Sequence, residues 1–211
     1  MQLQINSLEA AYERVISLSN SSTKRIIIGL VGMPGAGKST LSTYLMKKLP
    51  KETTALVPMD GFHMSNAQLS QLGRSERKGA PDTFNSNAYA DLIELINSVP
   101  KEEVRFPIFH RELDESIEDE GVIYPDTKIV LTEGNYLLLD EDAWPRTQKL
   151  LNESWFVDVN NSRRMARLVA RHIKYGKSPE AAHAWAHGTD QRNAELIEAT
   201  RIRADVIVYL D

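Results

Sequence analysis

Cysteine is absent from the 211-residue sequence, so disulfide bonds, thiolate catalysis and zinc sites built on cysteine are excluded. Long hydrophobic runs are also missing. The longest apolar stretch, residues 26–33, is far shorter than the roughly 20 residues that cross a bilayer. No segment rich in proline, glycine or serine divides the chain. We therefore expect one domain, covering residues 1–211, of a cytoplasmic protein with no membrane partner.

An excess of positive charge is lacking too. The chain has 25 Lys and Arg against 29 Asp and Glu, which gives a formal net charge of −4 at pH 7. Such a balance disfavours broad electrostatic binding to nucleic acid, so we expect no nucleic-acid partner. Hydrophobic residues make up 42% of the chain and charged residues 26%, as in an ordinary globular domain. An anionic ligand would therefore have to bind at a local basic patch.

Short apolar runs alternate with helical patterns along the chain. Apolar residues recur on one helical face between residues 7 and 18, which predicts an N-terminal amphipathic helix. The later runs are nearly continuous, as in strands that are buried on both faces. They cover residues 25–31, 55–59, 128–132, 155–159 and 206–210. This alternation predicts an α/β fold in which helices cover both faces of a mostly parallel, five-stranded sheet.

A glycine-rich motif follows the first predicted strand and opens a helical pattern at residues 39–49. It matches G-x-x-x-x-G-K-[ST], in which backbone N–H groups wrap phosphates. In this motif Lys38 reaches the β- and γ-phosphate oxygens, and Ser39 can ligate Mg²⁺. The order of strand, loop and helix disfavours the alternative, a glycine-rich turn beside a surface lysine. The predicted phosphate-binding loop (P-loop) contains Gly32, Met33, Pro34, Gly35, Ala36, Gly37, Lys38 and Ser39.

Two acidic residues end predicted strands. Asp60 follows the run at 55–59, so it should lie at the carboxyl edge of the sheet, where open α/β sheets bind ligands. A carboxylate there can orient a hydroxyl and accept its proton during phosphoryl transfer. Glu133 ends the run at 128–132 and is a candidate to hold a Mg²⁺-bound water or the substrate. The alternatives are that Asp60 only begins a turn with Gly61, and that Glu133 only accepts backbone hydrogen bonds.

Basic residues gather in two segments. Arg163, Arg167 and Arg171 recur at every fourth position of a predicted helix, so their guanidinium groups share one face. This helix has two interpretations. It belongs to a lid, at about residues 161–190, that closes over phosphates, or it presents a solvated face. The other segment is a loop after Asp60 that either contacts the substrate or is solvated. It contains Arg74, Arg77 and Lys78.

Further motifs follow the P-loop in a fixed order along nearly the whole chain. They are residues 59–63 (MDGFH), 77–81 (RKGAP) with Thr83 and Phe84, 132–139 (TEGNYLLL), 167–172, and Asn193 before 204–205. With residues 32–40, these segments resemble the superfamily of uridine kinase, bacterial pantothenate kinase and phosphoribulokinase. The resemblance is strongest to a bacterial branch described as nucleoside or fructose-transport-associated kinases.

This resemblance implies a P-loop NTPase fold, a three-layer α/β/α sandwich with a helical lid, and a kinase that uses ATP and Mg²⁺. It extends the nucleotide site to Thr40 and makes Asp60 the base. Arg167 and Arg171 become lid residues that act in catalysis together with Lys38. The candidate substrate-binding residues are His63, Lys78, Arg111, Glu133 and Asn193, and the candidate metal ligands are Ser39 and Glu133. Because His110 stands where the family often has an acidic residue, the identity of the acceptor stays open.

The preferred function is therefore transfer of the γ-phosphate of ATP to a hydroxyl of a small molecule, such as a nucleoside, a sugar or a pantothenate-like compound. The alternative is a nucleotide-dependent switch or assembly ATPase that acts on a protein partner. A nucleoside monophosphate kinase is a third hypothesis, but its phosphate acceptor needs no strong base, so Asp60 argues against it. The sequence leaves the oligomeric state open and permits a homodimer.

Overall fold

The computed structural model describes residues 2–98 and 101–210. The strands in this part of the chain are β1 (Leu3–Ile5), β2 (Ile26–Val31), β3 (Thr54–Pro58), β4 (Val104–His110), β5 (Glu115–Ile123), β6 (Ile129–Gly134), β7 (Glu153–Asp158) and β8 (Val206–Tyr209). The helices are α1 (Leu8–Ser21), α2 (Lys38–Lys48), α3 (Asn66–Gln71), α4 (Ser86–Asn97), α5 (Trp144–Gln148), α6 (Asn161–Lys174), α7 (Pro179–His187) and α8 (Thr189–Glu198). None of these described helices is both long and apolar enough to cross a membrane.

Within the described residues, six strands form one sheet in the order β1-β8-β7-β2-β6-β3, and every neighbouring pair is parallel. Strand β2 lies in the interior, between β6 and β7. Because the strands run in the same direction, their carboxyl ends meet at one edge of the sheet. The segments that follow β2, β3 and β6 therefore emerge side by side at this edge.

Helices cover both faces of the sheet, as the nearly continuous apolar strands predict. All six residues of β2 are buried, and successive side chains of a strand point to opposite faces. Ile27 packs in one core with Tyr89 of α4 and Trp144 of α5. Ile28 packs in the other core with Leu41 of α2. The prediction of a mostly parallel sheet between two layers of helices is confirmed.

The number of strands in the sheet differs from the prediction. The five predicted strands are present as β2, β3, β6, β7 and β8, and β1 adds a sixth at the edge, where Leu3 pairs with Val206. Three residues are too few to reveal a periodic pattern. The Gln2 side chain holds this strand in place, since its Nε2 donates to the carbonyls of Arg201 and Ala204, both at 2.8 Å.

Strands β4 and β5 form a separate antiparallel hairpin that the apolar pattern did not predict. Their register shifts between Phe106 and Ile108, on either side of Pro107, which has no N–H group to donate. The carbonyl of Pro107 lies against Gly61 so closely that a Cβ atom on Gly61 would clash with it. A glycine at this position thus lets the hairpin pack directly on the turn that carries Asp60.

Candidate active site

A cleft of about 510 Å³ opens at the carboxyl edge of the sheet. Its walls come from the P-loop, the 3₁₀ turn Met59–Phe62 with its flanks, the turn of the β4–β5 hairpin, and helices α6 to α8. The predicted site residues that line it are Pro34, Lys38, Ser39, Asp60, His63, Lys78, Arg111, Glu133, Arg171 and Asn193. The fold thus brings the phosphate-binding motif and the candidate acceptor residues to one place.

The P-loop joins β2 to α2 and presents backbone to the cleft. Gly35 has a φ angle of +82°, a conformation that favours glycine. A Cβ atom there would lie 2.9 Å from the carbonyl oxygen of Arg164, so glycine also lets α6 approach the loop. Helix α2 begins directly at Lys38, and the first N–H groups of a helix lack partners within the helix and carry partial positive charge. The loop therefore fits a chain of phosphates.

The ammonium group of Lys38 lies above the P-loop. It donates to the carbonyls of Gly32 at 2.8 Å and Met33 at 3.3 Å, and to Oδ1 of Asn135 at 2.6 Å. Burial lowers the pKa of Lys38 to about 8, and the nearby carboxylate of Glu133 partly opposes this shift. A desolvated cation gains strongly from an adjacent anion. The position of Lys38 therefore favours a bound phosphate.

Glu133 connects strand β6 with helix α2. Its Oε1 accepts a hydrogen bond from Ser39 Oγ at 3.2 Å, and its Oε2 accepts one from Ser42 Oγ at 2.8 Å. Hydroxyl and carboxylate oxygens are ligands that Mg²⁺ prefers in proteins. Ser39 and Glu133 thus form a donor set that fits this metal, next to the loop that fits the phosphates.

Asp60 lies in the 3₁₀ turn directly after β3, at the sheet edge where the sequence predicts it. Its Oδ2 accepts a hydrogen bond of 3.1 Å from Nη2 of Arg111, which follows β4. No other hydrogen-bond donor to this carboxylate is found in residues 2–98 and 101–210. The side chain of Asp60 is 37% exposed, so the carboxylate can meet a ligand in the cleft.

His63 lies three residues after Asp60 and packs between two phenyl rings. Its ring centroid is 4.0 Å from that of Phe84 and 4.6 Å from that of Phe109. Its Nδ1 lies 2.7 Å from the carbonyl oxygen of Asp60. Burial lowers the pKa of His63, and the neighbouring Asp60 carboxylate opposes that shift. The imidazole is therefore held in one orientation beside the candidate base.

Lys78 and Asn193, two candidate substrate-binding residues, also line the cleft. The Nζ of Lys78 donates to Oδ1 of Asn66 at 2.7 Å and pairs with Oδ2 of Asp114 at 3.0 Å, which ties the loop after Asp60 to the hairpin turn. The amide of Asn193, in α8, donates to the carbonyl of Gly79 at 3.4 Å. These two side chains connect three separate segments around the same space.

The three arginines of α6 have unequal positions. Arg171 lines the cleft, where burial lowers its pKa and the adjacent Arg111 lowers it further. Arg167 lies nearer the P-loop, with Nη1 3.4 Å from the carbonyl oxygen of Ala36. Arg163, at the start of the helix, is exposed. Cationic side chains of α6 thus extend from the P-loop towards Asp60.

The profile of the phosphoribulokinase / uridine kinase family matches residues 27–210. The chain belongs to this family. Membership makes it a P-loop kinase, a nucleotide-binding phosphotransferase, and the P-loop NTPase fold implied by the sequence motifs is confirmed.

The similarity to individual members of the family extends over most of each chain. A Schizosaccharomyces pombe protein assigned as a uridine kinase is 29% identical over 97% of this chain and 91% of its own. The pantothenate kinase of Lactococcus lactis subsp. lactis is 28% identical over 89% of this chain and 69% of its own. A crystal structure of a protein assigned as a fructose transport system kinase from Silicibacter sp. TM1040 has a TM-score of 0.85 and 35% identity, covering 95% of this chain and 98% of that one.

Two basic residues near the kinase cleft do not line it. Arg74 and Arg77 pair with Asp82 instead. Among the three basic residues of this loop, only Lys78 lines the cleft in the part of the chain that the structure describes. His110 binds Glu120 across the hairpin at 2.5 Å. The departure from the family pattern at His110 is therefore part of the hairpin and not of the cleft lining.

Sequence reasoning missed several residues that shape this kinase site. Arg164 is fully buried, with Nη1 3.5 Å from the carbonyl oxygen of Pro34 and Nη2 2.8 Å from Oδ1 of Asn161. His172 and Asp190 join α6 to α8 through a contact of 2.6 Å between Nε2 and Oδ2. The contacts of Arg164 with Pro34 and of His172 with Asp190 join residues that are distant in sequence, so no local pattern indicates them. Asn135 belongs to the segment 132–139 that carries the family resemblance, but its contact with Lys38 becomes visible only in the folded structure.

Proposed function

We propose that this cytoplasmic kinase uses ATP and Mg²⁺ to phosphorylate a hydroxyl group of a small molecule, with Asp60 as the base. The acceptor is a nucleoside, a sugar or a pantothenate-like compound. One observation carries the proposal: the P-loop residue Lys38 and the Asp60 carboxylate line the same cleft. The relatives named as uridine, pantothenate and fructose transport system kinases support an acceptor of this kind.

On the phosphate side, the P-loop residues Gly32 to Thr40 bind the nucleotide, and Lys38 holds its outer phosphates. Ser39 and Glu133 would hold Mg²⁺, which when bound spreads and neutralises phosphate charge. Arg171 lies close enough to Asp60 and Arg111 to interact with both electrostatically. Its guanidinium therefore stabilises negative charge on the group in transfer.

On the acceptor side, Asp60 orients the reacting hydroxyl through the carboxylate oxygen that Arg111 leaves free. As the hydroxyl oxygen forms its bond to the γ-phosphorus, the bond to the leaving nucleoside diphosphate breaks and the proton passes to the Asp60 carboxylate. His63, Lys78 and Asn193 line the remaining space and hold the rest of the acceptor. Positioning of both reactants in one cleft supplies much of the rate enhancement.

Helices α6 and α7, at about residues 161–190, act as a lid in this proposal. Arg167 and Arg171 then approach the nucleotide when the lid closes, which excludes water from the transfer. The turn at Gly176, between α6 and α7, has a φ angle of +94° and open space around it. Such a position can absorb a change in backbone angle without displacing packed side chains.

The test is consumption of ATP by the purified protein with Mg²⁺ and a panel of nucleosides, pantothenate, ketoses, pentoses and sugar phosphates. We expect turnover that depends on one acceptor class and is lost in Lys38→Ala. Asp60→Asn should fold and bind ATP normally, but it should lose at least roughly 100-fold in kcat. Unchanged turnover in Asp60→Asn would remove Asp60 from the mechanism. Hydrolysis that responds to a protein but to no small alcohol would favour the switch hypothesis instead.

A further inference from the structure

The imidazole of His63 is fixed from three directions. The backbone on either side of it pairs with the Thr83–Asn85 segment, since Met64 N donates to Thr83 O at 2.9 Å and Asn85 N donates to Phe62 O at 2.8 Å. Phe84 from this segment and Phe109 from the hairpin pack on the ring. The third constraint is the contact of 2.7 Å between Nδ1 and the Asp60 carbonyl. The ring therefore cannot turn without breaking contacts to two separate elements.

This fixed orientation determines which ring nitrogen carries the proton. A carbonyl oxygen only accepts hydrogen bonds, so Nδ1 of His63 must be the donor in its contact with Asp60. A neutral imidazole carries one proton, and burial keeps this ring neutral by lowering its pKa. Nε2 is then left with a lone pair and no hydrogen. It can accept a hydrogen bond, but it cannot donate one.

The cationic groups near His63 do not donate to Nε2: Lys78 Nζ binds Asn66 and Asp114, and Arg111 binds Asp60. Nε2 has no hydrogen-bond partner in the part of the chain that the structure describes, and His63 lines the cleft beside Asp60. Three other carboxylates of the cleft are already paired. Glu133 accepts from Ser39 and Ser42, Asp114 pairs with Lys78, and Asp190 contacts His172. His63 therefore presents an oriented acceptor to which a ligand in the cleft can donate.

We infer that the acceptor is a polyol, and that a second hydroxyl of it donates to Nε2 of His63 while the reacting hydroxyl meets Asp60. The inference rests on the proposed function. An ionised carboxylate is disfavoured next to Nε2, because it has no hydrogen to donate to the lone pair. An alcohol with a single hydroxyl and no N–H group leaves Nε2 without a donor once its hydroxyl is at Asp60. His63 is thus a specificity-determining residue in this cleft.

Three pairs of compounds test the inference: D-glycerate with 3-hydroxypropanoate, glycerol with 1-propanol, and uridine with 2′,3′-dideoxyuridine. Both members of a pair have a primary hydroxyl, and the second member has no other. We expect the wild-type protein to favour the polyol by about tenfold or more in kcat/KM. His63→Asn keeps an amide near the Nδ1 position but has no group at Nε2. The ratio of kcat/KM between the polyol and its single-hydroxyl partner should therefore fall to about 1, mainly because KM for the polyol rises. His63→Gln places an amide oxygen near the Nε2 position and should restore part of the preference.

A second measurement does not depend on turnover. Nitrogen-15 NMR of the wild-type protein should find His63 protonated at Nδ1 and bare at Nε2, and a polyol of the panel should shift the Nε2 resonance more than its single-hydroxyl partner. A proton on Nε2, or no shift with any of the three polyols, would overturn the inference. Equal use of both members of a pair in wild type, or an unchanged preference in His63→Asn, would also overturn it while leaving the kinase function in place. Loss of all acceptor-dependent turnover in the wider panel would instead reject the proposed function.

Discussion

Arg111 donates a hydrogen bond of 3.1 Å to Oδ2 of Asp60 across 51 residues of sequence. Asp60 follows a strand of the main sheet, whereas Arg111 stands in the turn of the hairpin that packs on the Asp60 segment through Gly61 and Pro107. The contact keeps the carboxylate oriented. The hairpin thus contributes directly to the group that we propose as the base.

Arg111→Met should lower kcat by about tenfold, because the Asp60 carboxylate loses the partner that orients it. Binding of ATP should change little, since the P-loop is untouched. The measurement is steady-state turnover with a responsive acceptor of the panel. Arg105→Met is the matched control, because Arg105 lies on the same hairpin but binds Glu103. An equal loss in both variants would mean that Arg111 acts only through the stability of the hairpin.

The central sheet and the phosphate side of the site could be predicted from sequence because their signals are local. Strands buried on both faces give continuous apolar runs, as in Ile26–Val31. The P-loop has a fixed spacing between a strand and a helix. The positions of Asp60 and Glu133 beside the cleft could be predicted because strand ends of a parallel sheet share one edge. Their roles stay predictions.

The acceptor side could not be predicted in the same way. The hairpin strand Glu115–Ile123 is rich in acidic residues and exposed along much of its length, so it lacks the apolar pattern of a strand. The contacts of Arg111 with Asp60 and of His172 with Asp190 join segments that only tertiary packing brings together. The orientation of the His63 ring depends on one backbone carbonyl and two phenyl rings, which no spacing in the sequence indicates.

Ser39→Ala should raise the Mg²⁺ concentration for half-maximal activity by about tenfold, because the variant loses a hydroxyl ligand that we propose for the metal. Ser42→Ala is the matched control. Ser42 also donates to Glu133, at 2.8 Å, but it lies one helical turn deeper and is buried. It should therefore change the Mg²⁺ requirement less. Titration of activity with Mg²⁺ at saturating nucleotide measures both, and an equal shift would assign the effect to Glu133 rather than to a metal contact of Ser39.

The free energy of unfolding should fall as pH decreases below about 6.5, in part because of His63. Burial lowers the pKa of His63 in the folded protein, with Asp60 opposing and Lys78 and Arg111 adding to the shift. Between the ordinary pKa and the lowered one, the unfolded chain binds more protons at this residue, so stability falls with falling pH. His63→Phe keeps an aromatic ring and should flatten this slope in denaturant titrations from pH 7.5 to 5. His183→Phe, which replaces an exposed histidine, is the control, and equal slopes in both variants would contradict the assignment.

Arg25 stabilises the fold far from the cleft, and its replacement should separate stability from activity. The residue is 6% exposed, and its guanidinium donates to four backbone carbonyls at 2.8–3.1 Å, those of Ile96, Tyr124, Pro125 and Thr127. Arg25→Met keeps a long apolar stem but leaves these buried carbonyls without their donor, which should lower the free energy of unfolding by about 3 to 5 kcal/mol.

Guanidinium chloride titration measures this loss, and Lys24→Met, at the exposed neighbouring position, should change stability by less than about 0.5 kcal/mol. Below its unfolding transition, Arg25→Met should still bind ATP with wild-type affinity, because the P-loop begins beyond the far end of β2. A loss below about 1 kcal/mol would mean that water or repacked side chains satisfy the four carbonyls. Weakened ATP binding by folded Arg25→Met would mean that the start of β2 is coupled to the loop that follows its end.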